Sequence, residues 1–78
     1  MKNTFCLSDC VRNALETYFR DLEGETPSNI HAMVLKSVER PMIEVTLRQA
    51  GGNQMMAAAM LGINRNTLRK KMKEYGLP

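Results

Sequence analysis

Apolar residues recur at helical spacing along most of this chain, and glycine or proline interrupts the pattern at residues 24–27, 51–52 and 62. Side chains at positions i, i+3 or i+4, and i+7 share one face of an α-helix, whereas a half-buried strand alternates with a period of two. The pattern therefore predicts an all-α fold. Its four helices are expected at residues 7–22, 29–50, 54–61 and 65–74.

The first predicted helix carries one apolar stripe and has recognisable ends. Thr4 or Ser8 can cap its start, and Gly24 with Pro27 ends it, because proline cannot continue a helix. The stripe consists of Leu7, Val11, Ala14, Leu15, Tyr18, Phe19 and Leu22. Such a face needs other apolar surface to pack against.

The second predicted helix is apolar over much of its circumference. Ser28 is a suitable N-cap, and Pro41 is expected to kink the axis near Arg40 because it removes one helix hydrogen bond. A helix that is apolar on several sides must be covered on several sides. In a chain of 78 residues, a second subunit is the expected source of that cover.

The chain offers neither a disulfide nor a metal to stabilise so small a core. Cys6 and Cys10 are the two cysteines, and a bridge between them would close too small a loop to help. Zinc needs about four ligands, and His31 stands alone, so we expect free thiols, a histidine at the surface or at an interface, and no cofactor. Oligomerisation as a homodimer is therefore the remaining way to stabilise the fold.

Charge is distributed unevenly along the chain. Residues 1–61 hold six basic and seven acidic side chains, a net of −1, whereas residues 62–78 hold five basic and one acidic, a net of +4. This asymmetry favours a polyanion contact confined to the C-terminal segment, although a solubilising basic helix has the same composition. No window is apolar enough to span a membrane and no secretory signal is evident, so a cytoplasmic protein is expected.

The last two predicted helices have the layout of a helix-turn-helix. Small residues at 57–59 allow the two helices to approach closely, and Ile63 can fill the space at the turn. In the last helix, Leu68, Met72 and Tyr75 share one face and are expected to point inward. Arg65, Arg69 and Lys73 share the opposite face, flanked by Asn66, Thr67 and Lys70. This division of faces is typical of a DNA recognition helix.

The polar face suits double-stranded DNA. Arginine can bond the edge of guanine through two hydrogen bonds, and asparagine can do the same with adenine. Arg65 and Asn66, at the start of the helix, are best placed to reach base edges, while lysine and threonine suit phosphate oxygens. Because one such unit binds weakly, a dimer with a reading unit at each end is expected.

The segment from Gly52 to Gly76 resembles the C-terminal DNA-binding segment of the Fis family of bacterial nucleoid-associated proteins. The same type of segment forms the C-terminus of NtrC-type transcription activators. The residues that carry the resemblance are Gly52-Asn53-Gln54, Ala57-Ala58, Gly62-Ile63-Asn64-Arg65, Thr67-Leu68-Arg69-Lys70-Lys71, Lys73 and Tyr75-Gly76. A looser similarity extends back through Arg40-Pro41, Tyr18-Phe19 and Ala14-Leu15, so that residues 7–77 are covered.

The resemblance implies one domain over residues 1–78, with a short disordered segment at 1–6, intertwined dimerisation helices at 7–50 and a helix-turn-helix at 53–75. It implies that Asn64, Arg65 and Lys70 contact base edges or the groove, and that Asn53, Thr67, Arg69 and Lys73 contact phosphates or support such contacts. It further implies DNA bending, low sequence specificity, nucleoid organisation and transcription regulation.

This chain departs from the family pattern at several positions. Met55 and Met56 replace polar or basic residues, Asn66 replaces glycine, and Glu74 replaces lysine. About six residues precede the first helix, so the N-terminal arm through which Fis activates recombinases is not expected here.

Other functions receive less support from the residues. Neither a paired set of catalytic groups nor a phosphate-binding loop is evident, so we expect no enzyme and no small-molecule substrate. The last helix has too few apolar residues to anchor on a membrane surface. A helical dimeriser of the NtrC C-terminal type, whose partner is a protein, remains the alternative.

Overall fold

The computed structural model describes residues 6–78, and this range contains four helices and no strand. They are α1 (Leu7–Asp21), α2 (Ile30–Gln49), α3 (Gln54–Leu61) and α4 (Arg65–Glu74). The predicted all-α class is confirmed, and each predicted helix end agrees to within one residue. The disorder expected at residues 1–6 concerns residues outside the described range, apart from Cys6, whose backbone is extended.

The chain forms two compact units, which are described separately. We call Met1–Val34 the N-terminal unit and Leu35–Pro78 the C-terminal unit. The first contains α1 and the start of α2, and the second contains the rest of α2 with α3 and α4.

Helix α1 begins without a side-chain cap. The prediction that Ser8 caps it is wrong, because Ser8 lies inside the first turn, where its Oγ is 3.1 Å from Cys6 Sγ. Thr4, the other predicted cap, lies outside the described residues. At the other end, the Leu22 N–H bonds the Tyr18 carbonyl at 3.1 Å and the Glu23 N–H bonds the Arg20 carbonyl at 3.3 Å, so two of the last helical carbonyls are satisfied.

Helix α2 begins one residue later than predicted. The Asn29 carbonyl accepts the first helical hydrogen bond, from the Met33 N–H at 3.0 Å, so Asn29 precedes the helix and the predicted cap at Ser28 is wrong. Asn29 has a φ of +56°, in the left-handed region that asparagine tolerates better than most residues. The helix then runs through Pro41 to Gln49. The kink predicted at this proline stays a prediction.

Among residues 6–34, which belong to the N-terminal unit, no side chain is buried. The apolar stripe of α1 is half-buried at Val11, Leu15, Tyr18 and Leu22 and exposed at its other positions. The Tyr18 and Phe19 rings stand edge to face with centroids 5.7 Å apart, yet Phe19 keeps 47% of its surface exposed.

The C-terminal unit has a core to which three helices contribute. The buried side chains are Ile43, Ala50, Ala57, Ala58, Leu68 and Met72. Half-buried apolar residues border this core, namely Leu47, Leu61, Ile63, Tyr75 and Leu77. The core therefore fixes α3 and α4 on the C-terminal half of α2, which is what positions the candidate site.

Candidate nucleic-acid interface

Helix α3 and the turn after it are defined by local hydrogen bonds. The Asn53 side chain accepts from the Met56 N–H at 3.0 Å and caps the start of the helix. At the end, Gly62 adopts a left-handed φ of +78°, and the Gly62 and Ile63 N–H groups both bond the Ala58 carbonyl. Glycine reaches this conformation without steric cost, so the chain reverses tightly before α4.

Helix α4 is capped by Asn64, whose side chain accepts from the Asn66 N–H at 2.7 Å. Leu68 is completely buried and Met72 is nearly so, while Tyr75 is half-buried, which confirms the predicted inward face. Ile63 packs against the core from the turn, as predicted. The two helices and their turn form a helix-turn-helix.

The opposite face of α4 is open to solvent. All eight predicted contact residues have exposed side chains: Asn53, Asn64, Arg65, Asn66, Thr67, Arg69, Lys70 and Lys73. Within residues 6–78, the four cations of this set make no salt bridge. We call Arg65, Arg69, Lys70 and Lys73 the free cations of α4. Their charge is available to an external anion.

Two of the predicted contact residues already have a structural task. Asn53 and Asn64 each use their side-chain oxygen to cap a helix. The amide nitrogen of each side chain remains a hydrogen-bond donor that suits a phosphate oxygen. Both asparagines stand at helix N-termini, where the other N–H groups of the first turn have no carbonyl partner within the helix, so an anion would find more than one donor there.

The outward face of α3 is apolar. Met55, Met56 and Met60 are 63%, 50% and 55% exposed, and Ala59 is also exposed. The predicted close approach of the two helices through residues 57–59 is therefore correct for Ala57 and Ala58 and wrong for Ala59. A helix of 3.6 residues per turn cannot direct three successive side chains to one neighbour.

Glu39, Lys71 and Tyr75 form a polar cluster in the C-terminal unit that the sequence pattern does not predict. The Glu39 carboxylate of α2 accepts a hydrogen bond from the Tyr75 hydroxyl, and its Oε2 lies 3.1 Å from Lys71 Nζ. Lys71, in α4, and Tyr75, the residue after the helix, are four residues apart and lie on the same side. No local signal connects them with an acid more than 30 residues earlier, so the folded structure was needed to find this cluster.

The cluster shifts the ionisation of its members. The hydrogen bond from Tyr75 lowers the pKa of Glu39, and the Lys71 ammonium lowers it further, while partial burial opposes both effects. The hydrogen bond to the Glu39 carboxylate also raises the pKa of Tyr75 to about 12. At neutral pH the carboxylate is therefore charged and the tyrosine hydroxyl keeps its proton.

Comparison with known proteins agrees with this geometry. The model of the bacterial regulatory protein family Fis matches residues 34–75, which is nearly the whole C-terminal unit. This chain belongs to the Fis family.

Two curated relatives place the chain within the Fis family along most of its length. A Fis-like DNA-binding protein of Ralstonia nicotianae is 56% identical over 68 residues, which are 87% of this chain and 88% of that protein. The DNA-binding protein Fis of Glaesserella parasuis is 45% identical over 71 residues, which are 91% of this chain and 72% of that protein. None of the helices in the described part of the chain is both long and apolar enough to cross a bilayer.

Proposed function

We propose that this chain binds double-stranded DNA as a homodimer, with α4 of each subunit in the major groove. The observation that carries the proposal is the division of α4 into two faces. One face is anchored by buried Leu68 and Met72, and the other presents four exposed cations that make no salt bridge within residues 6–78. The relatives that bear the name DNA-binding protein support the same function.

Each polar residue of α4 has a role that follows from its position. Arg65 and Asn66 occupy the first turn, from which a recognition helix reaches base edges, and arginine can read guanine through two hydrogen bonds. Asn64 and Lys70 are assigned to the groove. Asn53, Thr67, Arg69 and Lys73 are assigned to phosphates, which fix the register of the protein on the duplex.

The homodimer is supported by uncovered apolar surface outside the helix-turn-helix. The apolar stripe of α1 has no buried member. On α2, Leu35, Met42 and Val45 are 52%, 47% and 46% exposed, and with half-buried Val38 they repeat at the 3-4-3 spacing of an interhelical seam. A second copy would cover these faces and supply the second reading unit.

The finer activities belong to the same proposal. A dimer that places two α4 helices closer together than one turn of B-DNA, about 34 Å, requires the duplex to bend. Much of the binding energy then comes from phosphates and DNA deformability, so sequence specificity is low. We assign the protein to nucleoid organisation and transcription regulation in the cytoplasm, with no enzymatic activity and no cofactor.

Mobility-shift titration of a duplex at several salt concentrations tests DNA binding. We expect affinity to fall steeply between about 50 and 200 mM salt, as counterion release requires. Arg65→Ala should weaken binding by about 1–3 kcal/mol, the value of one bidentate base contact. Arg20→Ala, which removes an exposed arginine from α1, should leave affinity unchanged.

The same samples separate the competing functions. A duplex with the site at its centre should migrate more slowly in the complex than one with the site at its end, which reports bending. Absence of a shift at low salt would refute the DNA-binding proposal. If the protein were then still a dimer, the alternative of a protein-interaction module of the NtrC C-terminal type would be favoured.

A further inference from the structure

Lys71 differs from the other basic residues of α4. Its Nζ lies 3.1 Å from Glu39 Oε2 and donates a hydrogen bond to Oε1 at 3.2 Å. Among residues 6–78, this is the one salt bridge that joins two different helices, since the other two pairs lie within α1 and within α2. The lysine side chain is 32% exposed and the glutamate side chain 25%, so water screens this pair less than it screens a surface pair.

The carboxylate is itself held in place by Tyr75, the residue that caps the C-terminal end of α4. The Tyr75 hydroxyl donates a hydrogen bond to Glu39 Oε1, one helical turn beyond Lys71. Glu39 thus binds both the last turn of α4 and the residue that ends the helix, and both of its oxygens are engaged. A lysine ammonium that left the carboxylate would leave a half-buried charge without its cation, which is costly.

We propose that Glu39 is a positioning residue that withholds Lys71 from DNA, so that four cations of α4 in each subunit contact the duplex instead of five. The proposal rests on the DNA-binding function proposed above and defines its electrostatic component. Without the Glu39 charge, the flexible lysine side chain would be free to neutralise a phosphate. The carboxylate therefore limits the salt-sensitive, sequence-independent part of the affinity.

Comparison with the salt bridge inside α2 shows why geometry decides. Arg40 Nε lies 3.7 Å from Glu44 Oε2, and these side chains are 54% and 40% exposed. Such a pair is weak and screened, and it joins neighbouring turns of a single helix. Neutralising Glu44 changes the net charge by the same amount as neutralising Glu39 but frees no cation of α4.

The experiment measures the slope of log K against log salt for the full-length protein on one duplex. Glu39→Gln removes the charge while its amide oxygen can still accept from Tyr75. We expect this slope to steepen by about 0.9 for each subunit, one additional phosphate contact. Glu44→Gln is the matched control for net charge, and its slope should equal that of the wild type.

Substitution of the lysine gives a second, independent test. In the wild-type background, Lys71→Gln should leave the slope unchanged, whereas Lys73→Gln should reduce it by about 0.9 for each subunit. In the Glu39→Gln background, Lys71→Gln should restore the wild-type slope. Tyr75→Phe removes the hydrogen bond to Glu39 and should therefore lower thermal stability. Because it keeps the salt bridge between Glu39 and Lys71, it should not change the slope. Circular dichroism verifies that each variant is folded.

Two results would overturn the proposal. One is a Glu39→Gln slope equal to that of the wild type, which would mean that freed Lys71 reaches no phosphate. The other is a reduced slope for Lys71→Gln alone, which would mean that Lys71 contacts DNA already. Failure of the wild-type protein to bind any duplex at low salt would instead refute the DNA-binding function, so the two failures are distinguishable.

Discussion

The two units of this chain differ in how far their apolar side chains are buried. In the C-terminal unit, α3 and α4 bury Ala57, Ala58, Leu68 and Met72 against α2. In the N-terminal unit, no described side chain is buried, although its helix carries an apolar stripe of similar quality. The amphipathic pattern is present in both, so pattern alone does not produce a core.

The difference shows what each unit requires. The C-terminal unit contains its own helix caps at Asn53 and Asn64, a tight turn at Gly62 and the salt bridge between Glu39 of α2 and Lys71 of α4. These local and tertiary bonds define the orientation of α4 within one chain. The N-terminal unit has apolar surface that a single chain leaves exposed to water. Burying such surface would stabilise the protein by roughly 25 cal/mol per Å². We therefore expect the first unit to depend on a second copy.

Placing a charge in the α1 stripe has the largest expected effect. Leu15→Glu should weaken dimerisation at least about 100-fold, because an unpaired charge in an apolar interface costs roughly 3–5 kcal/mol. Sedimentation equilibrium measures the dimer dissociation constant. Thr17→Glu, an exposed position outside the stripe, is the matched control. A Leu15→Glu protein that stays dimeric would contradict the proposed dependence of the N-terminal unit on a partner.

Truncating the core of the C-terminal unit comes next. Leu68→Ala should lower the free energy of unfolding by about 2–5 kcal/mol, because it removes a completely buried side chain and leaves a cavity. Urea denaturation followed by circular dichroism gives the value. Met60→Ala removes a side chain that is 55% exposed and should change stability by less than about 0.5 kcal/mol. Equal losses in the two variants would show that the core lies elsewhere.

The cap of α3 offers a smaller and more selective test. Asn53→Ala should cost about 1 kcal/mol of stability, since the Met56 N–H loses its acceptor. Asn53→Asp keeps an acceptor, so stability should be retained while the added negative charge weakens DNA binding. Thermal melts and mobility shifts on the same samples separate the two roles. Loss of stability in both variants would disprove the capping role.

The smallest expected effect is a pH dependence confined to the C-terminal unit. Because the pKa of Glu39 is lowered on folding, its stabilising contribution is present above its unfolded pKa and is lost as pH falls through the lower, folded value. The Tyr75 pKa is raised to about 12, so its contribution is complete below its unfolded pKa and is lost as pH rises toward 12.

Thermal melts across pH measure both changes. Glu39→Gln should reduce the loss of thermal stability at acidic pH, and Tyr75→Phe should reduce the loss at alkaline pH. Tyr18→Phe, which removes a hydroxyl from the N-terminal unit, is the control and should leave the alkaline curve unchanged. A Tyr75→Phe curve identical to that of the wild type would contradict the hydrogen bond to Glu39.

Much of the fold could be predicted because its signals are local. Gly62 ends α3, and asparagines at 53 and 64 begin the last two helices, so their bounds depend on residues within one turn. The bounds of α1 were predicted correctly to within one residue, but its capping residue was not. Ser8 is a good capping residue by type, but the extended backbone at Cys6 places it inside the helix, where its side chain cannot cap.

The amino-acid sequence by itself determined the four helices, the turn and the exposed cationic face of α4. These features follow from helical periodicity and capping, which act over a few residues. Only the tertiary structure decided that Glu39 meets Lys71 and Tyr75, and that Met55, Met56 and Met60 face solvent. Such pairings depend on how distant segments pack, because a side chain's partner across a core is set by the relative position of whole helices.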